Sequence, residues 1–88
     1  MKIKDCFVKR KVGDKFLVVT VGKAAGDESM FIEMNETSSY IWDLIERGYD
    51  EDKMALSLCK RYSIPRDKAT ADIKKLIASM KEAGIFED

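Results

Sequence analysis

The stretch Phe31–Ile45, FIEMNETSSYIWDLI, changes period halfway along, and that change sets the fold. Met30, Ile32 and Met34 alternate with Phe31 and Glu33, the two-residue repeat of a strand. Past Asn35 the apolar residues Ile41, Trp42 and Ile45 recur at helical spacing, with Leu44 widening the stripe. Asn35 suits a helix N-cap, because its side-chain oxygen can accept a backbone N–H two or three residues on. A strand therefore runs into a helix without a linker. The junction divides a β-rich N-terminal part from a helical C-terminal part.

Eighty-eight residues, 45% hydrophobic and 36% charged, suffice for one domain with a single core. Sixteen Lys and Arg balance sixteen Asp and Glu, so the chain lacks the positive excess of a general nucleic-acid binder. No histidine is present, which removes the commonest general base and the commonest metal ligand. No phosphate-cradling glycine loop, nucleophile elbow or clustered metal-ligand set occurs, so neither catalysis nor a cofactor or metal is expected. Cys6 and Cys59 make neither a disulfide framework nor a CxxC pair, and are read as reduced and largely buried. No apolar run approaches the ~20 residues of a membrane span. MKIKDCF lacks the apolar segment of a secretory signal, so the expected location is the cytoplasm and no membrane is involved.

In chain order, a first strand is predicted at about residues 5–12 and a second at 15–21. Gly13-Asp14 between them suits a two-residue type II′ hairpin turn. The first strand puts Cys6, Val8 and Val12 on one face, with Lys9 and Lys11 beside Phe7 on the other. The second, with Phe16, Leu17, Val18, Val19 and Val21, is apolar on both faces, as a central strand is. GKAAGD, residues 22–27, reads as a loop, and a third strand follows at 29–34. A meander leaves that third strand with one free edge, and SMFIEM has none of the lysines or prolines that normally blunt an edge.

Helices are predicted at about 36–47, ending at Gly48, and at 51–62, capped by Asp50, with Met54 or Ala55, then Leu58, Cys59 and Tyr62 inward and Leu56 widening the stripe. The last is predicted at 66–83, with Pro65 at its start and Gly84 at its end, and Ile85 and Phe86 folding back on its last turn. At about 100° per residue, Ala69, Ile73, Leu76, Met80 and Ala83 share a core stripe on this last helix. Ile77 lies on one shoulder with Thr70, Lys74 and Lys81; Asp72 and Ser79 lie on the other. The architecture is α+β and winged-helix-like: a three-stranded antiparallel sheet followed by three helices.

Met34-Asn35-Glu36-Thr37 leading to Ile41-Trp42 resembles the "LNET…IW" signature of the PqqD family, the peptide chaperones of pyrroloquinoline quinone biosynthesis and their relatives, also called RiPP recognition elements. The resemblance continues through Leu58, Arg61-Tyr62, Asp72-Ile73 and the closing Met80-Lys81-Glu82-Ala83-Gly84-Ile85, with Met34 and Met80 where leucine is usual. It implies a non-catalytic module that binds the leader segment of a ribosomally made precursor peptide. The module presents that segment to a modifying enzyme, frequently a radical SAM maturase. The resemblance further implies that the leader adds as a strand on the edge of the third strand and packs into the cleft beside the last helix. The expected peptide-binding residues are Met30, Phe31, Ile32, Glu33 and Met34 on the strand, and Ile73, Lys74, Ile77 and Lys81 on the helix. Lys74 or Lys81 would meet a leader carboxylate, and Ile77→Asp is expected to weaken binding more than stability.

Two other functions compete. A winged-helix nucleic-acid binder would use the last helix, whose exposed face mixes Arg66, Lys68, Lys74, Lys75 and Lys81 with Asp67, Asp72 and Glu82. A homodimer would instead pair the free strand edge with a second copy.

Overall fold

The computed structural model describes residues 2–20 and 32–87. Its elements are β1 (Lys2–Ile3), β2 (Phe7–Val12), β3 (Lys15–Thr20), β4 (Ile32–Met34), α1 (Glu36–Glu46), α2 (Glu51–Tyr62), α3 (Arg66–Glu82) and β5 (Phe86–Glu87). β2, β3 and β4 form an antiparallel sheet in that order, and the three helices follow it. Met30, Phe31, Val21 and the expected loop at 22–27 lie outside the described residues.

The hairpin forms as its sequence dictates. Gly13 takes a φ of 64° while Asp14 stays at negative φ, the sign pattern of a type II′ turn, and Val12 faces Lys15 across it. β3 is the middle strand, with Val18 only 1% exposed. The strand alternation of β2 holds, but its inward face is the one carrying Phe7 and Lys9, whereas Val12 on the other face is 58% exposed. Lys9 can turn inward because its charge is met there. Its Nζ donates to the Ser39 carbonyl at 3.0 Å, to Ser39 Oγ at 2.6 Å and to Asp43 Oδ1 at 2.6 Å. Its ammonium also lies 5.3 Å from the centre of the Phe16 ring.

Asn35 caps α1 through Oδ1 and the Ser38 N–H at 2.7 Å, and Asp50 caps α2 through the Lys53 N–H at 2.8 Å. α1 and α3 end alike. Gly48 and Gly84 adopt φ of 83° and 72°, and paired bonds (Gly48 N to Ile45 O with Tyr49 N to Leu44 O, Gly84 N to Lys81 O with Ile85 N to Met80 O) close the last turns. Ile85 then seals the core at 0% exposure. Phe86 packs against the core and also pairs with Ile3 in a second, two-stranded sheet of β1 and β5 that the sequence patterns, two residues each, are too short to reveal.

The core lies between the inward sheet face and the helices. Ile41, Trp42, Leu44, Met54, Leu58, Ile73 and Met80 are each at most 1% exposed. Burying one such side chain contributes roughly 1.5–3 kcal/mol. α1 packs on β3 and β4, and α2 lies along α3. Leu56 is 50% exposed and does not join the α2 stripe, since Met54, Ala55 and Leu58 already fill the contact with α3. Both cysteines are free thiols and half-buried.

Candidate functional site

Among the described residues β4 spans Ile32–Met34 and pairs with β3 alone, Phe16 with Met34, Leu17 with Glu33 and Val18 with Ile32. Among the described residues no strand pairs with its outer edge. Backbone N–H and C=O groups of an edge strand keep unused hydrogen-bonding capacity, which a further extended chain can take up.

Beside that edge runs a groove of about 530 Å³. Ile32 and Glu33 form its strand wall, and Asn35, Thr37 and Ser38 form the end where β4 turns into α1. Lys68, Asp72, Lys75, Leu76 and Ser79 of α3 form the opposite wall, and Tyr62 and Ile64 contribute from the α2–α3 junction. The apolar members are Ile32, Ile64, Leu76 and the Tyr62 ring; the remainder are polar.

The junction is placed by local backbone rules. Ser63 ends α2 in the left-handed region at φ 52°, ψ 44°, which reverses the chain. Pro65 restricts Ile64 to extended backbone and starts α3 without a side-chain cap. Tyr62 is fixed edge-on against Tyr40, ring centres 5.9 Å apart at 81°, with the Arg61 guanidinium 4.8 Å from the Tyr40 centre. The Tyr62 side chain alongside holds the Arg61 pKa above its ordinary value.

Of the residues expected from sequence, Ile32 and Glu33 line the groove. Met34, Ile73 and Ile77 are 3%, 1% and 5% exposed and belong to the core. Lys74 and Lys81 are exposed but are not part of the groove wall. Helix α3 turns its Asp72–Ser79 shoulder to the strand, not the Ile77 shoulder. The reason is the breadth of the apolar arc: Ile77 extends the core stripe on one side, and burying it rotates the polar shoulder outward to β4. Lys68, Lys75, Leu76, Tyr62 and Ile64 were not singled out for the groove from sequence. The skew of apolar residues toward Ile77 is the signal that would have found the α3 members.

Charges around the groove are largely paired. Asp72 meets Lys68 at 3.7 Å, and Glu33 meets Lys15 at 3.3 Å. Lys75 makes no ion pair among the described residues. The described residues contain no group of three or more His, Cys, Asp or Glu able to hold a metal ion. No described helix is long and apolar enough to cross a membrane.

The fold is shared with two solved structures: "TbiB1 in Complex with the TbiA(beta) Leader Peptide", at TM-score 0.77 and 20% identity over 100% of both chains, and "Lasso peptide synthetase B1 complexed with the leader peptide", at TM-score 0.77 and 20% identity over 96% of this chain and 93% of that one. No curated protein matches the chain. The family model described as "Coenzyme PQQ synthesis protein D (PqqD)" matches residues 23–85. With the strand–helix junction, the groove and all three helices inside that span, the chain belongs to the PqqD family.

Proposed function

We propose that this protein captures the leader segment of a ribosomally synthesised precursor peptide as an added strand on β4 and presents it to a modifying enzyme. The carrying observation is the β4 edge, with which no strand among the described residues pairs, lying directly beside a groove with apolar members. Main-chain hydrogen bonds to the edge supply affinity that tolerates sequence variation. Side chains of the added strand alternate, so every second one enters the groove and meets Ile32, Ile64 and Leu76. The two similar structures, each holding a leader peptide by name, and the family itself support this role. The protein does no chemistry in this scheme; the modifying enzyme, a radical SAM maturase as the family resemblance implies, acts while the protein holds the substrate in the cytoplasm.

A nucleic-acid role is disfavoured by the pairing on α3. Lys68 is engaged by Asp72, and Arg66 by Asp52 at 3.2 Å, which leaves fewer cations for phosphate contacts. Self-association through the β4 edge would compete with peptide, so any dimer should dissociate as peptide is added.

The test is hydrogen exchange on the protein with peptides selected from a phage-displayed library of random dodecamers. Bound peptide should slow exchange of amides within Ile32–Met34. Binding that leaves every one of those amides unprotected would sink strand addition.

A further inference from the structure

The sheet has a second edge, and it differs from β4 in charge. Among the described residues β2 pairs with β3 alone, so no strand meets the outer side of Phe7–Val12. The two-residue turn decides which groups face outward. Val12 and Lys15 flank it as a hydrogen-bonded pair, and alternation makes Arg10–Leu17 and Val8–Val19 bonded pairs too. The N–H and C=O of Lys9 and Lys11 therefore point to the outer edge, where the Phe7 N–H is already taken by the Lys4 carbonyl at 3.1 Å. Residues 2–20 hold six Lys and Arg against two Asp, a net charge of +4 in a chain whose total is zero. Lys2, Lys9 and Lys15 are held by Glu87, Asp43 and Glu33. Arg10 and Lys11 are exposed and make no ion pair among the described residues.

Resting on the presenting role proposed above, we infer that the β2 edge docks an acidic extended segment of the modifying enzyme, so that enzyme and peptide sit on opposite edges of one sheet. An open ladder calls for a partner with both donors and acceptors. A polypeptide backbone carries both, whereas a phosphate backbone offers acceptors only. A second copy is disfavoured, because antiparallel β2 against β2 sets Lys9, Arg10 and Lys11 opposite one another, and like charges directly opposite are destabilising. An added antiparallel strand places one residue opposite Lys11, whose ammonium lies 5.9 Å from the Phe16 ring centre without a carboxylate. The next faces Arg10 on the outer side of the sheet, between Val8 and Val12. Opposite Lys9 the residue is indifferent, since that charge is already met by Asp43 and Ser39. The preferred segment thus reads apolar-acid-acid-any-apolar, opposite Val12, Lys11, Arg10, Lys9 and Val8 in turn. One apolar end covers Val12, 58% exposed. The other meets Val8 beside a cavity of about 440 Å³ between β1 and the end of α1.

The probe is a fluorescent dodecamer with Val-Glu-Glu-Thr-Val at its centre and Ser-Thr flanks; the control carries Val-Lys-Lys-Thr-Val instead. On the wild-type protein the acidic peptide should slow hydrogen exchange of the Lys9 and Lys11 amides. The Arg10 and Val12 amides, already bonded to β3, and those of Ile32–Met34 should not change. Arg10→Glu with Lys11→Glu alters two exposed side chains, so urea melts should hold. Anisotropy should then show the acidic peptide weakened roughly tenfold and the lysine peptide preferred. A peptide selected for β4 should bind together with the probe, each protecting its own edge. No binding of the acidic probe at millimolar concentration, equal binding of the two peptides, protection confined to β4, or mutual displacement overturns the β2 dock and leaves strand addition on β4 standing. Protection of Lys9 and Lys11 that grows with protein concentration alone gives the edge to a second copy, and equal protection by an oligothymidylate dodecamer gives it to phosphate; each overturns the proposal. Protection of Lys9 and Lys11 by the probe, with selected peptides that never protect Ile32–Met34, removes the presenting role and with it the enzyme as occupant.

Discussion

The two shoulders of α3 are built from similar material and end up doing opposite things. One carries Ile77 with Lys74 and Lys81, the other Asp72, Lys75 and Ser79 around the edge of Leu76. The first is closed, with Ile77 5% exposed in the core. The second is open and forms a groove wall facing β4. A single apolar side chain decides which is which, because burying one isoleucine is worth roughly 1.5–3 kcal/mol while polar side chains lose nothing by staying wet. Binding surfaces of this kind are what remains after the core has taken its share.

Ile77→Asp breaks the contrast most severely. A carboxylate placed in the closed shoulder should cost about 4 kcal/mol or more, so urea melts should show a large loss of stability or no folded state. A variant that kept wild-type stability would place Ile77 at a surface. Plugging the open shoulder has the reverse profile. Ser79→Tyr alters an exposed residue, so stability should change by less than about 0.5 kcal/mol, yet affinity for selected peptides should fall by roughly tenfold or more as the ring occupies groove volume. Unchanged anisotropy titrations would remove Ser79 from the binding wall.

A milder effect is expected where β4 meets α1 at the end of the groove. Asn35→Ala deletes the 2.7 Å cap bond to the Ser38 N–H, and thermal unfolding should report about 1 kcal/mol lost. Lys74→Ala and Lys81→Ala should do least, changing neither stability nor peptide affinity beyond about 0.5 kcal/mol. If either lysine substitution weakened peptide binding as Ser79→Tyr should, the two shoulders would not be as distinct as the structure makes them.

Much of this was legible in the residues. Asn35, Asp50, Gly48 and Gly84 mark helix ends whose chemistry is local, so the helices fall within a residue of where their caps and stops put them. The antiparallel pairing of β2 with β3 follows from the two-residue Gly13-Asp14 turn, and the central position of β3 from its two apolar faces. What was hidden depends on long-range partners. Lys9 is inward only because Ser39 and Asp43 lie some thirty residues away in sequence to receive it. Neither β1 nor β5 carries a pattern of its own; each exists because the other is there. The site was half visible: the β4 edge could be read from missing edge protection, but the rotation of α3 depends on packing against α2 and the sheet, which periodicity alone does not set.

That short pairing of Lys2–Ile3 with Phe86–Glu87, tied by a 3.4 Å contact between Lys2 and Glu87, has a practical outcome. It brings the first and last described residues side by side, so a brief linker can splice them and a new opening can be cut at the exposed Gly13–Asp14 turn. A circular permutant made this way keeps β4, α3 and the space between them within one uninterrupted run of chain. The order in which the pieces are synthesised is thus separable from the surface they assemble.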